Sequence, residues 1–431
     1  MSFEVLDCLD SLVRLTRRSP TLDGSVPVRV ARGCVPLLEG NAYGIQLTLA
    51  RPLRLARRLG RWHAAWDEAD GRVLERLHRG AVPRLGVEGF TPSPRWQRAL
   101  ARAVATPSGR GIRLFTGLLV KPDTDVWLRV TSAANRRNTL FEVVEQVVPD
   151  GAWVPLVLDL RPARGAPSPF RVEGEIGTLA PLQPGITIHE TTLASTPELA
   201  RAHARFYDRA YFEDKKEDVT GKYRRLVAGE ARTENGATGM CSVARIGASS
   251  LEVRPLGPFT TAAGPAPVDR TGDPRRIDTL IFRNEVAFTA LYDGHTLSLD
   301  YDRKRLRSKT AAVERSFLAA APESAREHPG AALYLTKYFT PHPPGEPHFF
   351  VKPWAFTRTP PGWSSLLDGL HGDGYDVMRG VVSTDSFFAT PAVFRVHREG
   401  APVHVPEGRP LLRLLPVPRR LLAAEFRLRR L

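Results

Sequence analysis

Lys352-Pro353-Trp354-Ala355-Phe356 and the residues that follow it decide the fold, because the chain has already spelled them once, from Thr116-Gly117-Leu118-Leu119-Val120. Walking forward from both starts, Trp127 falls on Trp363, Val147-Val148 on Val381-Val382, and Asp150 on Asp385. Trp153 then meets Phe388, Pro155 meets Pro391, and Val157-Leu158-Asp159-Leu160 meets Val393-Phe394-Arg395-Val396. Gly174 falls on Gly408, and Leu179-Ala180-Pro181-Leu182 on Leu414-Leu415-Pro416-Val417. Over this walk the offset stays between 234 and 236. Repetition at a fixed period is the mark of a copied structural unit. The expected fold is therefore α+β and mainly β, with two related β-sandwich or barrel-like domains from an internal duplication and helical insertions.

A chain of 431 residues can bury two or three cores without staples. Cys8, Cys34 and Cys241 lie far apart with no CxxC spacing, which points away from a disulfide framework or a cysteine–zinc site. The first residues, Met1-Ser2-Phe3-Glu4-Val5-Leu6-Asp7, carry acids where a signal peptide has bases, and no run approaches a membrane span. A cytoplasmic protein with no membrane partner is expected. The formal charge is +15, and only eight of the 61 basic residues are lysine. An arginine excess of this size draws acidic peptides or polyanions. Nucleic acid is the less favoured partner, since no helix-turn-helix, zinc-finger or RNP pattern occurs.

Taken in order, residues 1 to 24 read as an edge strand or short helix. Val26 to Arg32 and Gly44 to Ala50 alternate with period two, with Gly40-Asn41 as the turn between them. Between Arg61 and Thr106 the pattern shifts toward helix, with Ser93-Pro94 as a cap. Strands are expected at Ile112 to Val120, Val126 to Val130, Leu140 to Val148 and Val154 to Leu160, then a helix from Thr196-Pro197 onward. The domains are read as 1–228, a connecting segment 229–275 with a strand pair at Cys241 to Ile246 and Leu251 to Leu256, and 276–431. The second unit opens at Thr279, inserts a helix over Ala311 to His328 and resumes as strand at Ala331-Ala-Leu-Tyr-Leu. Alternation in Glu425 to Leu431 reads as a closing edge strand rather than a membrane-surface helix.

Functional candidates lie where the two copies differ. Asn135-Arg136-Arg137-Asn138 in one copy stands against the His371-Gly372-Asp373 loop in the other, and loops on a kept scaffold carry changed function. Arg136 and Arg137 either fork onto ligand carboxylates or are merely solvated. Trp127 and Trp363 recur and so read as core, whereas Trp153 and Trp354 have no tryptophan opposite and are candidates for exposed contacts. With Tyr43, Arg358 and Tyr375 these give the expected peptide-binding set Tyr43, Arg136, Arg137, Trp153, Trp354, Arg358 and Tyr375. An alternative places iron on His371, Asp373 and His397, or His404 in its place, as a facial triad, with 2-oxoglutarate held by Arg409. Phosphate loops, dinucleotide fingerprints, Gly-x-Ser-x-Gly and His-Glu-x-x-His are all missing from the sequence.

Asn41-Ala42-Tyr43-Gly44, Pro361-Gly362-Trp363, the strand Gly380 to Asp385, Glu407-Gly408-Arg409-Pro410 and Leu414 to Pro418 together resemble an uncharacterised bacterial β-rich domain family, once per copy. In size and basic character the chain is also similar to the peptide-binding proteins of crocagin biosynthesis. That resemblance implies an acidic precursor peptide of a ribosomally made natural product as partner, held without a cofactor for cyclisation or oxidation, with a biosynthetic enzyme as a further partner. It carries over no residue roles. The alternative remains a non-haem iron and 2-oxoglutarate oxygenase.

Overall fold

The computed structural model describes residues 2–7, 12–22, 34–66, 105–108, 111–136, 140–151, 153–206, 240–247, 249–256, 259–261, 264–266, 275–341 and 345–430. Among the described residues, six sheets and a few helices make the fold α+β and mainly β, as the alternation implied. Ile45, Leu47 and Leu49 are buried while the residues between them are half-buried, the period-two pattern of a strand with one face on a core.

Two five-strand arrays share one order. The first runs Gln146–Val148, Trp127–Thr131, Phe170–Leu182, Ile45–Arg58, Val13–Arg17; the second runs Gly380–Val382, Trp363–Gly369, Pro410–Pro418, Asp278–Arg283, Leu251–Pro255. Their registers agree as well. Ile45 faces Leu179 in the first and Leu280 faces Leu414 in the second, a shift of 235 in both numbers. Beside them lie a second pair of arrays in one order, Ala105–Ser108, Gly111–Pro122, Val154–Pro162, Phe141–Val143 and Phe339–Pro341, His348–Val351, Ala392–Val396, Tyr375–Val377.

The halves also trade strands. Thr187–Thr192, which trails the first array, pairs in parallel with Met240–Arg245, and Glu425–Arg430, which trails the second, pairs in parallel with Ser2–Asp7. Trp127 and Trp363, both almost fully buried, meet Val147, Val381, Leu415 and Cys241 in one apolar cluster drawn from both halves. The recurring tryptophans are thus core, as their recurrence suggested.

Local expectations depart from the structure in four places, one of them Arg61–Trp66, a strand where the pattern pointed to helix. Gly40 and Asn41 lie inside a helix, Val35–Ala42, not in a turn. A Cβ at Gly40 would sit 2.5 Å from the Gly380 Cα, so glycine lets this helix lie directly on the strand Gly380–Val382. Ala331 to Leu335 is helix rather than strand, within Pro329–Thr336, where proline occupies the first turn and alanines follow. The preceding helices are Arg303–Ala320, capped by the Asp302 side chain on the Arg305 N–H, and Pro322–Glu327. The strands of the connecting segment do form, but they pair with Ala355–Arg358 and Asp278–Arg283 instead of with each other. Arg61–Trp66 is the return strand of a hairpin with Ile45–Arg58. The expected strand over Val26 to Arg32, the helices between 67 and 104, and the charged stretch Glu213 to Asp218 lie outside the described residues. Among those described, no helix is long and apolar enough to cross a membrane.

Candidate functional site

Both divergent loops open onto one cleft of about 470 Å³ at the seam between the halves. Thr131, Ser132, Ala134, Asn135, Glu142 to Glu145 and Arg161 form one wall, and Asp368 to His371, Val377, Arg379, Arg409, Pro410 and Arg413 the other. Among the described residues, five arginines line it against three carboxylates, with His371 in addition.

Its floor is a buried charge network. Arg129 sits mid-strand in Trp127–Thr131 with both flanking apolar residues facing cores, so its own side chain lies in the seam, almost fully buried. Its Nε is 2.5 Å from Glu145 Oε1 of its own half and its Nη2 2.5 Å from Asp368 Oδ2 of the other. Arg379 reaches Asp368 Oδ1 at 3.0 Å, and Arg413, the cross-strand neighbour of Asp368, spans Glu145 at 2.7 Å and Asp368 at 3.1 Å. Three guanidiniums thus share two carboxylates. Burial alone would raise Asp368, but Arg129, Arg379 and Arg413 hold it well below the usual carboxylate range. Glu145 is likewise lowered, because Arg129 and Arg413 outweigh its burial. Donors are left over: Arg129 Nη1, Arg379 Nη1 and Arg413 Nε have no partner among the described residues.

The loops are locked to this floor. Asn135, in the left-handed region at φ 57°, donates from Nδ2 to Asn41 Oδ1 at 2.6 Å and to the Arg379 carbonyl at 2.9 Å, and it accepts the Arg379 N–H. Opposite, Asp376 holds two histidines: His371 Nδ1 is 2.9 Å from Oδ1 and His397 Nε2 is 2.6 Å from Oδ2, while Arg395 donates to Oδ2 at 2.9 Å. Burial would lower His371, yet the Asp376 carboxylate raises it above the ordinary histidine value. Arg409 donates to the His371 carbonyl at 3.3 Å.

Several expected site residues sit elsewhere. Tyr43 is buried, its hydroxyl donating to the Pro181 carbonyl, and Trp354 is buried with its indole N–H on the Leu335 carbonyl. Trp153 belongs to the core of the first half, and Tyr375 stacks on Phe394 in that of the second. All four are packing residues, and Trp153 and Trp354 are corrected from exposed contacts to core, where an aromatic ring contributes most. Arg136 pairs with the buried Glu175 at 2.6 Å beside the cleft, Arg358 is exposed and 3.6 Å from Glu198, and Arg137 lies outside the described residues. The iron set is not assembled: Asp373 is exposed and paired with Arg398 at 2.5 Å, and the carboxylate between His371 and His397 is Asp376. Among the described residues no three His, Cys, Asp or Glu side chains are placed to hold a metal ion.

Sequence reading missed Arg129, Glu145, Asp368, Arg379 and Arg413. Three of them left a signal, a lone charge inside an apolar strand: Leu128-Arg129-Val130, Leu367-Asp368-Gly369 and Leu412-Arg413-Leu414. Such a charge is costly unless paired, which marks it as placed for a reason.

No protein-family model matches the chain, and no curated protein matches it.

Proposed function

We propose that the chain is two copies of one β-rich unit and that the cleft at their seam binds an acidic, extended peptide. The observation that carries this reading is the cleft's cationic lining, five arginines to three carboxylates, over a floor already rich in guanidinium donors. Arginine forks match carboxylates in geometry, and a desolvated site strengthens each such bond. Duplication is supported by the common strand order and by the shift of 235 in register between the two arrays.

The walls suit a chain rather than a compact ligand. Phe141–Val143 and Tyr375–Val377 each end their sheet, and both reach the cleft, through Glu142 and Val143 on one side and Val377 on the other. A peptide laid between them can add to either edge, taking affinity from main-chain hydrogen bonds and orientation from the arginines. In the reading favoured here the ligand is the precursor peptide of a ribosomally made natural product, held in the cytoplasm for cyclisation or oxidation by a partner enzyme.

Hydrogen exchange tests the mode of binding. Adding an acidic synthetic peptide should slow amide exchange in 141–145 and 375–379 together. Protection confined to other strands, or none, would reject edge addition in this cleft.

A further inference from the structure

The hairpin of Ile45–Arg58 and Arg61–Trp66 outruns its sheet. The neighbouring strand begins at Phe170, opposite Leu55, and beyond that point no further strand pairs with the ribbon among the described residues. Residues 56 to 63 therefore project by roughly 13 Å, at about 3.3 Å per residue. Arg54, Arg58, Arg61 and His63 share one face, with Arg58 directly opposite Arg61, while Arg57 lies on the other face opposite Trp62. All five side chains are exposed, and the four guanidiniums have no ion pair among the described residues. Like charges set opposite each other destabilise a ribbon. The hairpin is braced nonetheless, by Trp62 packed edge-on against Phe170 at 5.5 Å and by the Arg57 N–H on Ser168 Oγ at 2.7 Å.

At the tip stands Leu59, fully exposed at 102 % and held at φ 48°, a conformation a leucine side chain disfavours. Asparagine would make the same turn before Gly60 without strain. An exposed leucine in a disfavoured conformation, ahead of a ring of unpaired arginines, is useful to a partner with an apolar interior behind an anionic layer. A polynucleotide backbone would need only the arginines.

We propose that this ribbon docks on an anionic lipid surface, with Leu59 entering among the acyl chains and Arg57, Arg58 and Arg61 at the level of the headgroups. This departs from the sequence reading, which expected no membrane partner. One apolar side chain and a few cations give weak, reversible attachment of a peripheral kind.

Co-sedimentation of the full chain with vesicles of phosphatidylcholine alone, or with roughly a third of phosphatidylserine, tests it. Binding should require phosphatidylserine and fall with salt. Leu59→Asn, which keeps the charge and suits the turn, should weaken it roughly tenfold. Arg57→Gln, Arg58→Gln and Arg61→Gln combined should weaken it roughly a hundredfold, about fivefold each. No binding to the anionic vesicles, or an undiminished affinity in Leu59→Asn, would overturn the proposal. So would tighter binding to random-sequence duplex DNA that needs the arginines but not Leu59, which would assign the ribbon to nucleic acid.

Discussion

Replacing Asp368 by asparagine keeps the shape of the side chain and removes one of the two carboxylates that three buried guanidiniums share. Arg129 and Arg413 would then share Glu145 alone, Arg379 would lose its carboxylate, and the buried charge would rise from one surplus cation to two. Stranding a buried charge in this way costs about 3–5 kcal/mol. Arg129→Met removes a charge from the same network with the opposite consequence: two guanidiniums against two carboxylates, a balanced floor. Its cost should stay below about 2 kcal/mol, most of it lost hydrogen bonds. Urea denaturation followed by tryptophan fluorescence reads both, since Trp127 and Trp363 lie in the core shared by the halves. A loss under about 1 kcal/mol for Asp368→Asn, or a larger loss for Arg129→Met than for Asp368→Asn, would refute the charge accounting.

Two further outcomes follow from the same geometry. His371 should titrate above the ordinary histidine value of about 6.5, and its raised folded value makes its stabilisation complete below that pH and lost as pH rises through the folded value. NMR titration of His371 checks this; a value at or below about 6.5 would contradict the pairing with Asp376. Gly40→Ala forces a methyl into the Gly380 backbone and should cost about 1–3 kcal/mol by urea denaturation, whereas an unchanged midpoint would mean that the helix does not rest on that strand.

The strands of both arrays were legible because alternation and the repeat both mark them, from Trp127 to Leu182 and from Trp363 to Val417. The Gly40-Asn41 pair misled because glycine serves close packing as well as turns, and only the position of Gly380 tells which. Ala331 to Leu335 misled because a short apolar run has no period of its own, and the decisive proline stands before it at Pro329. At the site, the sequence singled out the two divergent loops as working surfaces without relating them in space, and the structure brings Asn135 and His371 of those loops to one cleft. It missed the floor, because Arg129 and Asp368 are 239 residues apart and no local pattern joins them. The carboxylate beside the two histidines is Asp376 rather than Asp373: alternation sends Tyr375 and Val377 to the core and leaves Asp376 on the opposite face with His371 and His397, while Asp373 in the turn is exposed.

The central claim, an acidic chain held by the cleft's arginines, is tested most directly by fluorescence anisotropy of a labelled glutamate-rich peptide. Arg161→Glu and Arg409→Glu reverse two lining charges outside the buried floor. Together they should weaken binding at least tenfold and flatten its salt dependence. Equal affinity in the wild type and the double variant, or no preference for the glutamate peptide over its glutamine counterpart, would contradict the account.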